Sequence, residues 1–232
     1  MGKRTQLCFM AFLLSLVLAA CGKIASAATA SASSVSVDAS ASATTHADSS
    51  RSSPLQPADL SADSKVLVAY FSRAGENYNV GVVEKGSTEL LAELVAENTG
   101  GTLFHIKTVN AYPESYEECK KAAIQERDSV ARPELAADVE DFDTYDVIYL
   151  GYPIWYGDMP MAVYTFLESY DFTGKTIVPF CTHAGSGLAD TVRDIQAECP
   201  GAAVLDGLAV SGVTVQTEPD AANRLVTDWL DA

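Results

Sequence analysis

From residue 65 to the end of the chain, short apolar runs alternate with amphipathic stretches, and each spacing predicts an element. Residues 65–71 read as a buried strand of valine, leucine and aromatic side chains. A helix follows over 87–98, where Leu90, Leu91, Leu94 and Val95 share one face, Ser87 can cap and Glu89 suits the positive end. Gly100-Gly101 stops it. Residues 102–107 form the next strand, and Pro113 opens a helix to 128 with Tyr116, Cys119 and Ala123 on one face. After a loop containing Pro133, residues 146–150 are a third strand, 160–170 a helix, and 175–180 a fourth strand. Residues 187–199 are a helix stopped by Pro200-Gly201, and 202–210 supply the fifth strand. The last helix begins near Thr217, where Asp220 can complete a capping box, and buries Leu225, Val226, Trp229 and Leu230.

Five strands alternating with five helices predict an α/β fold: a doubly wound parallel sheet with helices on both faces. The chain carries no internal repeat, and residues 65–232 read as one domain. In such sheets ligands bind beyond the carboxyl ends of the strands, at the point where the strand order reverses. The loops after strands one, three and four are therefore where chemistry is expected.

Ahead of residue 65 the pattern changes. Lys3 and Arg4 precede the apolar run 7–18, which is too short to span a bilayer comfortably, so residues 1–20 read as an export signal. The stretch Leu18-Ala19-Ala20-Cys21-Gly22 resembles the lipobox of bacterial lipoproteins. That resemblance implies cleavage before Cys21, acylation (palmitate included) at the new terminus, and anchoring to the outer face of a bacterial membrane. The alternative is an ordinary cleavage site with Cys21 as a chance thiol. Between Lys23 and Ser64, 27 of 42 residues are Ser, Ala or Thr and none is aromatic, too little apolar surface to offset ordering entropy. Residues 21–64 therefore read as a lipidated cysteine and a disordered tether, spanning roughly 35 Å as a flexible coil.

The formal net charge of −16 excludes nucleic acid as a partner, because a polyanion is repelled before local contacts form. Loss of residues 1–20 would remove two cations and no acid, leaving −18. Beyond Cys8 and Cys21 only Cys119, Cys181 and Cys199 remain, without metal-ligand spacing; Cys199 fits a packed helical stripe, and an exported compartment would also permit a Cys119–Cys199 bridge. With only His46, His105 and His183 in the chain, no metal motif is present.

Three loops carry the candidate chemistry. After strand one comes Phe71-Ser72-Arg73-Ala74-Gly75, and the following helix starts at Gly86-Ser87-Thr88-Glu89, so hydroxyls and backbone N–H groups collect at a helix amino end, as a phosphate monoester requires. The same residues also serve as ordinary turns and caps. After strand three, Gly151-Tyr152-Pro153-Ile154-Trp155-Tyr156-Gly157-Asp158 places three aromatic rings in eight residues. A planar ring system would bury them by stacking, and closure of the sheet edge is the alternative. After strand four, Cys181-Thr182-His183-Ala184-Gly185-Ser186-Gly187 is small enough for backbone to approach a flat ligand. His183 can polarise a ligand or accept a proton as a catalytic group, or simply order its loop. No Gly-x-Ser-x-Gly elbow points to a hydrolase.

Taken together, these three stretches resemble the flavodoxin family across residues 66–232. The resemblance implies the flavodoxin-like strand order 2-1-3-4-5 with FMN at the switch point. It also implies that Ser72, Arg73 through its backbone, Ser87 and Thr88 hold the phosphate. Pro153, Ile154, Trp155 and Tyr156 would cover one side of the flavin ring, and Thr182, His183, Ala184 and Gly185 would follow its other edge. Gly157 would let a backbone carbonyl swing toward the ring. One departure stands out, since residues 74–85 separate the two halves of a phosphate loop that is continuous in the family, and Gly75, Glu76 and Asn77 become alternative pocket residues.

The leading function this implies is a one-electron carrier whose redox partner is a protein or small acceptor. The acidic domain favours a basic docking partner and opposes the anionic reduced flavin, lowering the second potential. An FMN-dependent NAD(P)H:quinone-type oxidoreductase is one alternative, and a flavin-free binding module on the same fold is another.

Overall fold

The computed structural model describes residues 60–61 and 63–232. The expected export signal, Cys21 and nearly all of the tether lie outside the described residues. Among the described residues, no helix is long and apolar enough to cross a membrane and no group of side chains could hold a metal ion.

The chain order is β1 (Val66–Tyr70), β2 (Gly75–Asn77), β3 (Gly81–Val83), α1 (Ser87–Thr99), β4 (Thr102–His105) and α2 (Tyr116–Asp128). A 3-10 turn (Phe142–Thr144) leads to β5 (Val147–Pro153), α3 (Met161–Ser169), β6 (Thr176–His183), α4 (Thr191–Glu198), β7 (Ala203–Val204), β8 (Leu208–Ser211), α5 (Gly212–Thr217) and α6 (Pro219–Leu230). The main sheet runs β4-β1-β5-β6, with β7 and β8 both paired to β6, and every pairing is parallel. Counted by the five expected strands, this is the order 2-1-3-4-5.

Alternation along β1 shows why helices cover both faces: Leu67, Ala69 and Phe71 join one core, Val68 and Tyr70 the other. The first core takes in Ala162, Phe166 and Leu167 of α3 and Ile195 of α4. The second takes in Leu91, Ala92 and Val95 of α1 with Ala222 and Val226 of α6, and Leu60 rests partly buried against it. Cys199 is buried in the first core, and Cys119, Cys181 and Cys199 are all free thiols.

Several local expectations are corrected. The fifth strand breaks in two at 205–207, where Gly207 approaches the Pro179 carbonyl so closely that a Cβ would lie 2.9 Å from it. The helix expected from 187 begins at Thr191, because Gly187 and Ala189 hold left-handed backbone at φ 61° and 52°. The helix expected from Pro113 begins at Tyr116. The final helix is preceded by the short α5, Glu218 stands where its cap belongs with no side-chain bond, and Leu225 is exposed while Ala222 and Val226 are buried. Residues 74–85 form the antiparallel hairpin β2–β3.

Candidate functional site

Parallel strands bring their carboxyl ends to one rim, and the loops after β1, β5, β6 and β8 meet there around a cleft of about 260 Å³. It is lined by Ser72, Arg73, Ser87, Thr88, Pro153, Ile154, Trp155, Tyr156, Thr182, His183 and Ala184 among the residues singled out in the sequence. Gly75, Gly157 and Gly185 shape the loops without lining the cleft.

The two segments expected to form the phosphate loop touch directly. Gly86 lies against Ser72 and Arg73 so closely that a Cβ would sit 2.3 Å from Ser72 Oγ and 2.4 Å from the Arg73 carbonyl oxygen. The hairpin is thus an excursion from a closed neck. Ser87 does not cap α1, as its spacing suggests; Ser72 Oγ does so from across the neck, accepting the Glu89 N–H at 3.1 Å. Ser87 Oγ donates instead to the Gly212 carbonyl at 3.1 Å. Thr88 and Thr182 share a buried hydroxyl–hydroxyl bond of 2.7 Å that joins α1 to the end of β6. Behind this corner, His105 Nε2 lies 3.0 Å from the Ser72 carbonyl oxygen, so the nitrogen carries the hydrogen and donates it. Burial of His105 lowers its pKa, outweighing the carbonyl bond that raises it.

On the β5 side, Trp155 and Asp158 exchange backbone hydrogen bonds of 2.8 and 3.1 Å around Tyr156 and Gly157, whose φ angles are 57° and 82°. Two successive positive φ values make this a type I′ turn, which suits glycine at 157 and strains tyrosine at 156. Asp158 Oδ1 anchors the turn by accepting from the Met159 N–H at 2.7 Å and Tyr164 Oη at 2.8 Å. Trp155 stands edge-on to Phe71 and Tyr112, with centroids 5.4 and 5.3 Å away, so it both packs against the first core, at an interior strand and not a sheet edge, and presents a rigid wall to the cleft. Tyr156 is half exposed, with the Arg127 guanidinium 5.2 Å from its ring centroid.

On the β6 side, the Gly185 N–H donates to His183 Nδ1 at 2.9 Å. Nδ1 is then the acceptor, and neutral His183 carries its hydrogen on Nε2. Burial pushes its pKa down, in keeping with a neutral ring.

Sequence reasoning missed a whole wall. Tyr78, Asn79 and Val80 of the hairpin, Tyr116, Cys119 and Ala123 of α2, and Gly212 and Val213 after β8 also line the cleft. The Tyr116, Cys119 and Ala123 stripe was legible as a helix face, but periodicity does not distinguish a face against a core from one against a cleft. Asn77, weighed as an alternative pocket residue, does line it. Burial pushes the Cys119 thiol up, against the pull of the nearby Arg73 guanidinium, so it remains protonated. Among the described residues no aspartate or glutamate lines the cleft, although the chain carries 31 acids.

This fold, with a cleft beyond the carboxyl ends of parallel strands, is of the doubly wound, flavodoxin-like α/β class. The sequence model of the flavodoxin family matches residues 65–229, and the chain belongs to that family. It is similar to a protein from Bacteroides uniformis classed as a flavoprotein, with 30% identity over 73% of this chain and 99% of that one and a TM-score of 0.57. A second such protein, from Bacteroides eggerthii, is 28% identical over 69% of this chain and 98% of that one, with a TM-score of 0.54. A flavoprotein from Lactobacillus acidophilus, solved in complex with FMN, shares the fold at 22% identity over 66% of this chain and 97% of that one, with a TM-score of 0.52. No curated protein matches the chain.

Proposed function

We propose that the domain binds FMN in this cleft and works as a one-electron carrier, held by a lipid on Cys21 at the outer face of a bacterial membrane. The observation that carries the reading is the convergence of Ser72, Trp155 and His183, from three separate strand ends, on one cleft that excludes carboxylates. The donor set suits an anionic nucleotide. Ser72, Ser87 and Thr88 surround the amino end of the 13-residue α1, where unpaired N–H groups and the helix dipole favour a phosphate. Ile154, Trp155 and Tyr156 offer a wall for a planar ring, and Thr182, His183 and Ala184 line the cleft from the end of β6.

FMN supplies the redox chemistry when bound, and the protein tunes it. Neutral His183 can donate its Nε2 hydrogen without adding positive charge. Buried Thr182 and Thr88 fix the β6 end against α1. Tyr156 and Gly157 keep the turn in a conformation in which a peptide flip is cheap at glycine. The carrier reading is favoured over a nicotinamide-dependent reductase by the scarcity of cations. Among the described residues Arg73 is the one Lys or Arg lining the cleft, and both of its terminal nitrogens already donate to backbone carbonyls. Among the described residues, the phosphates of a second nucleotide would find only Arg73 Nε as an uncommitted cationic donor there.

The full chain, purified in detergent, is titrated with dithionite and then offered NADPH with a quinone. The carrier account expects a yellow protein reduced in two resolved one-electron steps, with negligible NADPH consumption. Sustained NADPH oxidation would establish the reductase instead, and a colourless protein that ignores FMN would establish a flavin-free module. Anchoring is tested by Cys21→Ala in a bacterial host: the variant should leave the membrane fraction, and retention there would exclude lipidation at Cys21.

A further inference from the structure

Arg73 follows Ser72 at the corner assigned to the phosphate, yet its side chain is committed elsewhere. Nη1 donates to the Glu76 carbonyl at 2.7 Å and to Asn77 Oδ1 at 3.4 Å. Nη2 donates to the carbonyls of Pro113 at 2.9 Å and Glu114 at 2.7 Å. One guanidinium therefore joins the hairpin β2–β3 to the segment that enters α2, forty positions away in sequence. The join is reinforced around it. The Glu76 N–H donates to the Glu114 carbonyl at 2.9 Å, Glu76 Oε2 accepts the Tyr116 N–H at 3.0 Å, and a Cβ on Gly75 would lie 2.7 Å from the Glu114 oxygen.

The hairpin needs such a clamp. Its strands are three residues each, Val82 is 81% exposed and Tyr78 59% exposed, and an isolated two-stranded ribbon with so little burial is marginal in water. What the clamp holds in place is an aromatic face: Tyr78 is stacked on Tyr116 at 5.7 Å and 28°, and both rings line the cleft.

We propose that Arg73 is a positioning residue that fixes the 75–83 hairpin as a wall of the cleft, so that the stacked Tyr78–Tyr116 pair contacts the ring portion of the bound flavin and the Arg73 side chain makes no contribution to phosphate binding. The proposal rests on the flavin reading of the cleft. Its one competitor on the same residue is Arg73 Nε, which is buried with no hydrogen-bond partner among the described residues and would serve a phosphate ligand. The two accounts differ in what the flavin's phosphate should feel.

The test compares Arg73→Ala, Arg73→Lys, Tyr78→Ala and the Arg73→Ala/Tyr78→Ala double variant in the full chain. Amide hydrogen exchange is measured without ligand, and dissociation constants are measured for both FMN and riboflavin. In Arg73→Ala, exchange across 75–83 should accelerate by about tenfold, as loss of a charge-assisted hydrogen bond implies, while β5 and β6 are unchanged. Both dissociation constants should rise by the same factor, about threefold to tenfold, the worth of an aromatic contact, leaving their ratio constant. Tyr78→Ala, at an exposed position that does not threaten folding, should give the same uniform loss and add nothing in the double variant. Arg73→Lys should not rescue, because a point charge cannot bond in both directions of the guanidinium fork. A collapse of the FMN-to-riboflavin ratio would make Arg73 a phosphate ligand and overturn the proposal, as would unchanged hairpin exchange. If the unmodified chain bound neither flavin, the flavin reading and the ring contact would both fall, whereas the exchange data alone would judge the clamp.

Discussion

Gly86 and Gly157 show two different reasons for a glycine at a site. Gly86 has ordinary extended backbone, φ −68° and ψ 155°, and is small because Ser72 and the Arg73 carbonyl press on it. Gly157 has open space around it and a φ of 82°. Gly86→Ala should cost about 1–3 kcal/mol through overpacking and weaken flavin binding as the neck is forced apart. Gly157→Ala should cost about 1 kcal/mol from backbone conformation alone. Denaturant titration of both variants checks the order, and a larger cost at Gly157 than at Gly86 would contradict the distinction. The two partly buried histidines set a pH dependence. His105 and His183 both have folded pKa values below the ordinary 6.5, so the unfolded chain binds their protons more readily. Their contribution to stability is complete above 6.5 and is lost as pH falls from there through the folded values. His105→Gln should flatten the fall in melting temperature over that window. An unchanged slope would show that His105 does not sense it.

At the level of elements, the alternation of strands and helices and the parallel sheet were legible because apolar runs and helical faces repeat with clear spacing, whereas the strand order followed only from the family resemblance. The strand ends were not. β5 and β6 each run three residues past the expected limit, because Gly151, Tyr152 and Pro153 read as loop composition yet pair with Phe180, Cys181 and Thr182. Pairing of that kind depends on a partner strand and leaves no local trace. The same holds for the hairpin, whose short strands lack alternation and whose order comes from Pro113 and Glu114. The site loops were legible because hydroxyls, aromatic rings and glycines are rare together at strand ends. The α2 wall was not, since Tyr116, Cys119 and Ala123 spell the same stripe whether they face a core or a cleft. The cap of α1 is a further case, because Ser87 has the right residue type and position, while the oxygen that performs the role belongs to Ser72. Ser72→Ala should therefore fray the first turn of α1 at a cost of about 1 kcal/mol. Exchange at the Glu89 amide reads this directly, and full protection there would return the cap to another group.

For the molecule as a whole, a formal charge of −16 coexists with a cleft that no carboxylate lines among the described residues, as the proposed binding of an anionic nucleotide requires. A cationic redox partner should associate several-fold more slowly as salt rises from about 0.02 to 0.2 M, because screening shortens the reach of the acidic field. A rate indifferent to salt would remove electrostatic docking from the account. The tether proposed for residues 21–64 would let the domain turn its rim toward such a partner.

The chain has two tryptophans, and they lie apart: Trp155 lines the cleft, whereas Trp229 packs edge-on to Tyr149 in the other core. In a Trp229→Phe variant, which keeps an aromatic ring beside Tyr149, Trp155 is the sole reporter. Titration of this variant with FMN should quench the Trp155 emission saturably at one flavin per chain. Emission that stays flat while FMN binds elsewhere, or that never saturates, would contradict the placement of the flavin in this cleft.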